Sequence, residues 1–476
     1  MLKLFSFILL ILYFAVLLLI VFKEKKNTNT FDYFFAGRKL PFWALSITFI
    51  ASWWGAGSAI ETADSAYNEG MAAFWIYGMP VLASTFIMIL GSSFIRRLGF
   101  LTQGQIMDTR YSPLAAKMLA FMILIFMTLN AATQMVGVGS VFSAYLGLDY
   151  TTAVLCGTLI VIIYSVFGGF KGVVVTDIVQ FVLFFISALI VLAAAVYYSG
   201  GYDNIANAAA AKGYNDYFSF TKGFETNFVF VITFGLSWVI QANVWQRITA
   251  AKNHKDASKM AIMSFFIYIP LYLIVVFTGM ASLAIFDTMP NGGVIAAIVT
   301  NYMPPILGAF VFLGLSAAVM STMDSLINTG AMTIGMDLAP KNIDEKTRLK
   351  ISRISTLVIS IIAVFIAIKI RSILKLSFTA SDVITSGVFV PLIMGFFWKR
   401  GNSYGALASM IFGIIFAFYN LAISLGVSLP AFWKVQHASQ AITGIAASFF
   451  IYIFVSLITK PEYEKIDNLK SGYKGE

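Results

Sequence analysis

Five acidic side chains, Glu61, Asp64, Asp177, Asp324 and Asp382, fall within or beside long apolar stretches of the chain. A charge held at bilayer depth costs at least about 2.5–3.5 kcal/mol, so such residues mark places where function outweighs solvation. Around one of them the sequence reads Ser316-Ala-Ala-Val-Met-Ser321-Thr322-Met-Asp324-Ser325. Offsets of three and four residues put Ala318, Ser321, Thr322 and Ser325 along one strip of a helix, with Asp324 beside it. Hydroxyls, a carboxylate and free carbonyls are the oxygen ligands of a hard cation, and no soft Cys or His ligand lies near. Close helix packing through Ser and Ala is the competing reading. Asp324 favours the cation site.

Two further stretches break the apolar pattern. Ser52-Trp53-Trp54-Gly55-Ala56-Gly57-Ser58 sits in mid-span, as does Gly235-Leu-Ser237-Trp238-Val-Ile-Gln241-Ala-Asn243. The two glycines and two hydroxyls of the first, and the similar interruption in the second, predict unwound helices, whose carbonyls can bind a cation and whose amides can bind a solute; a small-residue packing face at Gly55-Ala56-Gly57 is the competing reading. A solute is expected between the two breaks, bounded by Trp53, Gly55, Gly57, Trp238 and Gln241. Glu61 and Asp64 lie about one and two turns further out and are expected to line an outer vestibule. Trp75 is another candidate stacking surface, although Trp is also the usual interfacial anchor.

The elements that must carry these residues follow from composition. Of 476 residues, 59% are hydrophobic and only 11% charged, against about 25% charged in a globular domain. This predicts an all-α polytopic membrane protein. The one cysteine, Cys156, excludes a disulfide framework. Apolar runs at 2–22, 42–67, 71–94, 117–145, 150–168, 174–198, 226–246, 260–286, 304–335, 352–370, 376–398, 402–424 and 437–459 predict about 13 transmembrane helices. If the segment after the first span is cytoplasmic, 25 of the 32 Lys and Arg residues, Lys25, Lys26, Arg110 and Arg247 among them, lie on that side. The asymmetry predicts an N-terminus outside and a C-terminus in the cytoplasm, and accounts for the net charge of +10 without nucleic acid. His437 falls at a helix end and His254 in a basic loop, so a histidine proton relay is disfavoured. No G-x-x-x-x-G-K-[ST] motif occurs, nor a paired nucleophile and base, so the reading is a transporter rather than an enzyme.

Several segments resemble the sodium:solute symporter family in order and on the corresponding spans: Ala36-Gly-Arg-Lys-Leu-Pro41; Gly168-Gly-Phe-Lys-Gly-Val-Val-Val-Thr-Asp177-Ile-Val-Gln180; Gln246-Arg247; Ala317-Ala-Val-Met-Ser-Thr322; and Trp398-Lys-Arg-Gly-Asn402. The resemblance implies a leucine-transporter-type inverted repeat and coupling to Na⁺. On that plan the chain is one transmembrane domain, 1–476. An additional helix at 2–22 precedes a first repeat within 42–246, a second at 226–398, two C-terminal helices at 402–459 and a tail at 460–476. The resemblance also implies a primary sodium site from the carbonyls of Ala51, Trp54 and Ala318 with the hydroxyls of Ser321 and Thr322. Some members hold a second sodium further inward, which maps to Asp177, Ser321, Asp324 and Ser325. Asp324 departs from the small or hydroxyl residue usual there, so a proton could substitute. The second span looks like the choline-carrier branch, and an organic cation or zwitterion, such as choline or an amino acid, is favoured. A carboxylate, sugar or pantothenate symporter, and a channel indifferent to the sodium gradient, are the alternatives. The expected partners are a small organic solute, sodium and the lipid of a bacterial cytoplasmic membrane, with the chain working as a monomer.

Overall fold

The computed structural model describes residues 1–23, 29–430, 434–435 and 439–471. Lys25, Lys26, His437 and residues 472–476 of the expected tail lie outside these. Every regular element among the described residues is helical. Ten helices are long and apolar enough to cross a membrane, or eleven when the bent pair Phe224–Val239 and Ala242–Ala250 counts as one span. The expected thirteen is therefore not recovered as thirteen such helices. Phe42–Ala51 is apolar but short, and Gly57–Arg97 runs through parts of two expected spans. Tyr150–Ser199 covers two more in 50 residues, with a break at Gly169 (φ 55°, ψ −172°). A straight helix of that length would extend about 75 Å, well over twice the hydrocarbon thickness. The positive φ at Gly169 is backbone that glycine adopts without steric cost.

Pro305–Thr333 is the central helix. Every residue from Val311 to Thr333 is buried, and the helix packs against both Tyr150–Ser199 and Pro113–Leu146. Its small residues permit this: a Cβ added at Gly314 would lie 2.0 Å from Ser187 Oγ. Without a hydrophobic drive between helices in lipid, such close backbone approach is a main source of packing energy. Peripheral helices do the opposite. Leu2–Lys23 turns Leu4, Phe7, Ile11, Leu12 and Leu19 outward, as a lipid-facing helix must.

Two broken spans meet the central helix. The first runs as Phe42–Ala51, then a turn and bend at 52–55 in which Ser52 and Trp54 still donate to Thr48 O and Ile50 O, then a wide turn of π-helix at Gly57–Glu61 that continues into Thr62–Glu69. The second carries its π-turn at Val231–Gly235, ends at Val239, and restarts at Ala242 after Gln241 adopts an extended conformation (φ −63°, ψ 129°). Its two parts are bent by 46°. Groups freed at both breaks find partners: Ala56 N–H donates to Gln134 Oε1 (2.8 Å), and Ile240 O accepts from Gln103 Nε2 (2.8 Å). This is the condition for irregular backbone at membrane depth.

Candidate functional site

The first break delivers a carbonyl to the central helix. Ser321 and Thr322 each donate their hydroxyl to Ala51 O, both at 2.9 Å, and also reach Ala318 O at 3.1 and 3.4 Å. Four of the five groups expected for a primary sodium site are thus within hydrogen-bond range of one another, across two helices distant in sequence. The Trp54 carbonyl makes none of these bonds. All four oxygens are neutral, and three of their four residues are essentially sealed from solvent. A hard cation arriving there would replace hydroxyl–carbonyl hydrogen bonds with ion–oxygen contacts and displace no competing charge.

At Asp324 and Ser325 of the same helix, where Asp177 of Tyr150–Ser199 approaches, the arrangement differs. Asp177 is fully buried and accepts from Thr48 Oγ1 at 2.5 Å. Arg247 Nη2 lies 3.9 Å from the same carboxylate oxygen. That guanidinium also donates to Ser325 Oγ (2.7 Å), Thr48 Oγ1 (3.1 Å), Thr48 O (3.3 Å) and Asn243 O (2.9 Å). Asp324 accepts from Ser165. The sequence reading counted Arg247 and Arg110 among the cations of cytoplasmic segments, and the structure buries both: Arg247 is 0% and Arg110 1% exposed. Arg247 lies on Ala242–Ala250, which the 46° bend turns into the protein. Arg110 is tied to the carbonyls of Gly395, Trp398 and Gly401. Asp177 lies inside Tyr150–Ser199 and is held by side chains. The expected inner residues Asp177 and Ser325 are thus joined through a resident cation, while Asp324 is bonded to a different helix segment.

Between the two breaks lies a cavity of about 40 Å³. Trp53, Gly55, Gly57, Trp238 and Gln241, the residues expected to bound a solute, all line it. So does Thr322, which makes that hydroxyl common to the oxygen cluster and the cavity. Both glycines are required by close approach. A Cβ at Gly55 would lie 2.1 Å from Gln134 Oε1, and one at Gly57 would lie 2.5 Å from the Tyr77 ring. Trp53 Nε1 donates to Gln241 Oε1 at 2.5 Å, joining the breaks directly. The Trp53 and Trp238 rings are 5.6 Å apart, and Trp238 stacks at 19° on Tyr77. A space this small is closed to an organic solute, whose sites usually occupy about 300 Å³ or more; solute access must move a wall.

Other expected residues lie elsewhere. Asp64 accepts the Val294 N–H at 2.8 Å and so caps the start of Val294–Tyr302. Glu61 is partly exposed. Trp75 packs on Phe220 and Phe224 and donates to Phe220 O, away from the cavity. Asp382 is buried, with Oδ1 lacking a hydrogen-bond partner among the described residues. The sequence reading missed Tyr77, Asn130, Gln134 and Ser377 in the cavity wall, and Thr48 and Ser165 beside the acids. Gln134 carried a usable signal: an amide in mid-span needs a partner, and an unwound neighbour supplies one.

The chain is similar to several known proteins. The sodium/glucose cotransporter of Vibrio parahaemolyticus is 26% identical, over 84% of this chain and 81% of its own. The osmoregulated proline transporter of Bacillus subtilis is 27% identical over 94% of each, and the high-affinity choline transporter 1 of Caenorhabditis elegans is 25% identical over 86% and 74%. A solved Na⁺-coupled sialic acid symporter, in a substrate-bound outward-open state, superposes with a TM-score of 0.78 at 18% identity, covering 96% of this chain and 98% of that one. The likeness establishes the leucine-transporter-type helical fold. These relatives are transporters, not enzymes. With residues 33–413 matching its sequence pattern, the chain belongs to the sodium:solute symporter family.

Proposed function

We propose that this protein imports a small organic solute, an organic cation or zwitterion such as choline or an amino acid, driven by the sodium gradient through alternating access. The observation that carries the reading is Thr322: its hydroxyl belongs both to the neutral oxygen cluster with Ala51, Ala318 and Ser321 and to the wall of the cavity between the breaks. Sodium bound at the cluster holds the break of the first span against the central helix more firmly than the hydroxyl bonds alone. That fixes Gly55 and Trp53 on one side of the solute, so ion and solute each bind better in the presence of the other. Such mutual preference is what coupling requires. The relatives named for proline and choline transport support the solute class, and the aromatic pair Trp53 and Trp238 offers faces that attract an ammonium group. Loop charge supports an N-terminus outside and a C-terminus in the cytoplasm of a bacterial membrane, and the chain acts as a monomer.

The test is uptake of radiolabelled L-proline, choline and glycine betaine into proteoliposomes. Accumulation driven by an inward Na⁺ gradient, and abolished when the gradient is collapsed with an ionophore, is the expected result. Equilibrative flux that ignores the gradient would identify a channel.

A further inference from the structure

Three amides line the cavity, and the direction of each is fixed by a partner that can act in only one sense. Gln134 Oε1 accepts from the backbone N–H of Ala56, and Gln241 Oε1 accepts from the indole N–H of Trp53. Both partners are donors only, so neither amide can be reversed without losing its bond. Asn130 Nδ2 donates to Phe126 O, which only accepts. The glutamines therefore keep their oxygens for the protein and have their amide nitrogens left for the cavity. The hydrogen bonds these two side chains make to described residues go through the oxygens alone. Asn130 is left with its oxygen.

The walls thus present N–H donors from both sides: Gln134 stands against the break of the first span, and Gln241 forms the break of the second. No lining residue carries a charge. The one positive charge the site can gain is the sodium itself, at the cluster that shares Thr322 with the cavity. Among buried aromatics of this region, Trp53 and Trp238 keep 9% and 8% exposure while Trp54 keeps 1%, so the first two retain open ring surface.

Resting on the sodium-coupled reading above, we infer that the solute is a zwitterion whose carboxylate is held by the amide nitrogens of Gln134 and Gln241, with its ammonium toward Asn130 Oδ1 and the Trp53 and Trp238 rings. A carboxylate accepts from several donors at once and is the group that paired N–H donors near a bound cation serve best. A solute offering only an ammonium and a hydroxyl would meet the same donors with a single neutral oxygen, whose bonds are about half as strong as those to a carboxylate. The donor geometry thereby selects among the solutes that the aromatic faces alone would admit.

The test compares pairs of probes that differ only at the carboxylate. Thermal unfolding of the purified full-length protein in saturating NaCl is followed with L-proline and L-prolinamide, and with glycine betaine and choline. L-proline or glycine betaine is expected to raise the apparent melting temperature, as a ligand of the folded state must. Its amide or alcohol counterpart is expected to need at least tenfold higher concentration, about 1.4 kcal/mol. Gln134→Glu and Gln241→Glu keep an oxygen for Ala56 or Trp53 but replace the free donor with an anion. Each is expected to weaken the carboxylate probe at least tenfold, and the Na⁺-induced shift reports that the variant is folded. Equal binding of prolinamide or choline by the wild-type protein, no response to either carboxylate probe, or Glu variants that bind them as well as wild type, would overturn the inference. Carboxylate-selective shifts that are the same in KCl as in NaCl would support it while contradicting sodium coupling.

Discussion

Two clusters of cation-binding chemistry sit less than one helical turn apart on Pro305–Thr333 and solve opposite problems. The Ala51, Ala318, Ser321 and Thr322 cluster is made of neutral oxygens that bond to one another. The Asp177 and Asp324 cluster holds two fully buried acids, one of them beside a guanidinium that also takes the Ser325 hydroxyl. A neutral cluster can stand closed without an ion, because its hydroxyls and carbonyls pair internally. Buried carboxylates cannot, because an uncompensated charge in a low-dielectric interior costs several kcal/mol. Arg247 supplies that compensation for Asp177 from within the chain, while Asp324 has only the neutral Ser165 hydroxyl. The comparison teaches that a sodium at the neutral cluster meets no rival, whereas one at Asp177 competes with a cation that cannot leave. Freely exchanging sodium is expected at the neutral cluster, and Asp324 is the inner acid left open to a mobile ion.

The strongest way to break this contrast is to remove the resident cation. Arg247→Gln should destabilise the protein by about 3–5 kcal/mol, the usual cost of orphaning a buried partner. Adding Asp177→Asn should recover most of that loss, which paired thermal melts would register. A double variant no more stable than the single one would mean that Arg247 acts through its carbonyl bonds and not through Asp177. Thr48→Val sharpens the same point with a smaller effect. It deletes the hydroxyl shared by Asp177 and Arg247, worth about 1.5–3 kcal/mol for bonds to charged groups. Its effect should shrink in the Asp177→Asn background, as a double-mutant cycle would reveal.

Asp324→Asn carries the smallest stability effect, because its partner Ser165 is neutral and an amide oxygen can still accept that bond. Its effect is expected in coupling: a changed ion-to-solute ratio or pH dependence of uptake, with solute affinity in saturating Na⁺ within about twofold of wild type. Reversal potentials measured across a pH series would settle the matter, and curves superimposable on wild type would remove Asp324 from the ion pathway.

The neutral cluster was legible in the sequence because its logic is local. Ser321 and Thr322 follow Ala318 at helical spacing, and Gly55 and Gly57 announce the break that frees Ala51. The cavity residues Trp53, Trp238 and Gln241 were legible for the same reason, each lying in or beside an interruption. The charged cluster was only half legible. Asp177 and Asp324 stand out as acids in apolar runs, but Arg247 looks like any cation following a span, and its burial depends on a 46° bend that local pattern does not encode. Gln134 was missed because a 34-residue helix does not declare which of its faces meets a break formed some 80 residues earlier. Span counting separated 150–168 from 174–198, and the break at Gly169 falls between them; it departed from the structure where Phe42–Ala51 is short and Gly57–Arg97 runs through two expected spans.

The most direct test of the account is sodium binding itself, measured without any solute. Titration of NaCl against the purified protein, at constant ionic strength held with choline-free KCl and read by thermal unfolding or by ²²Na⁺ scintillation proximity, gives the half-saturating concentration. Removing both hydroxyls of the neutral cluster with Ser321→Ala and Thr322→Val should raise that concentration at least tenfold, about 1.4 kcal/mol, in a protein that still folds. An unchanged half-saturating concentration in the double variant would contradict the assignment of sodium to this cluster.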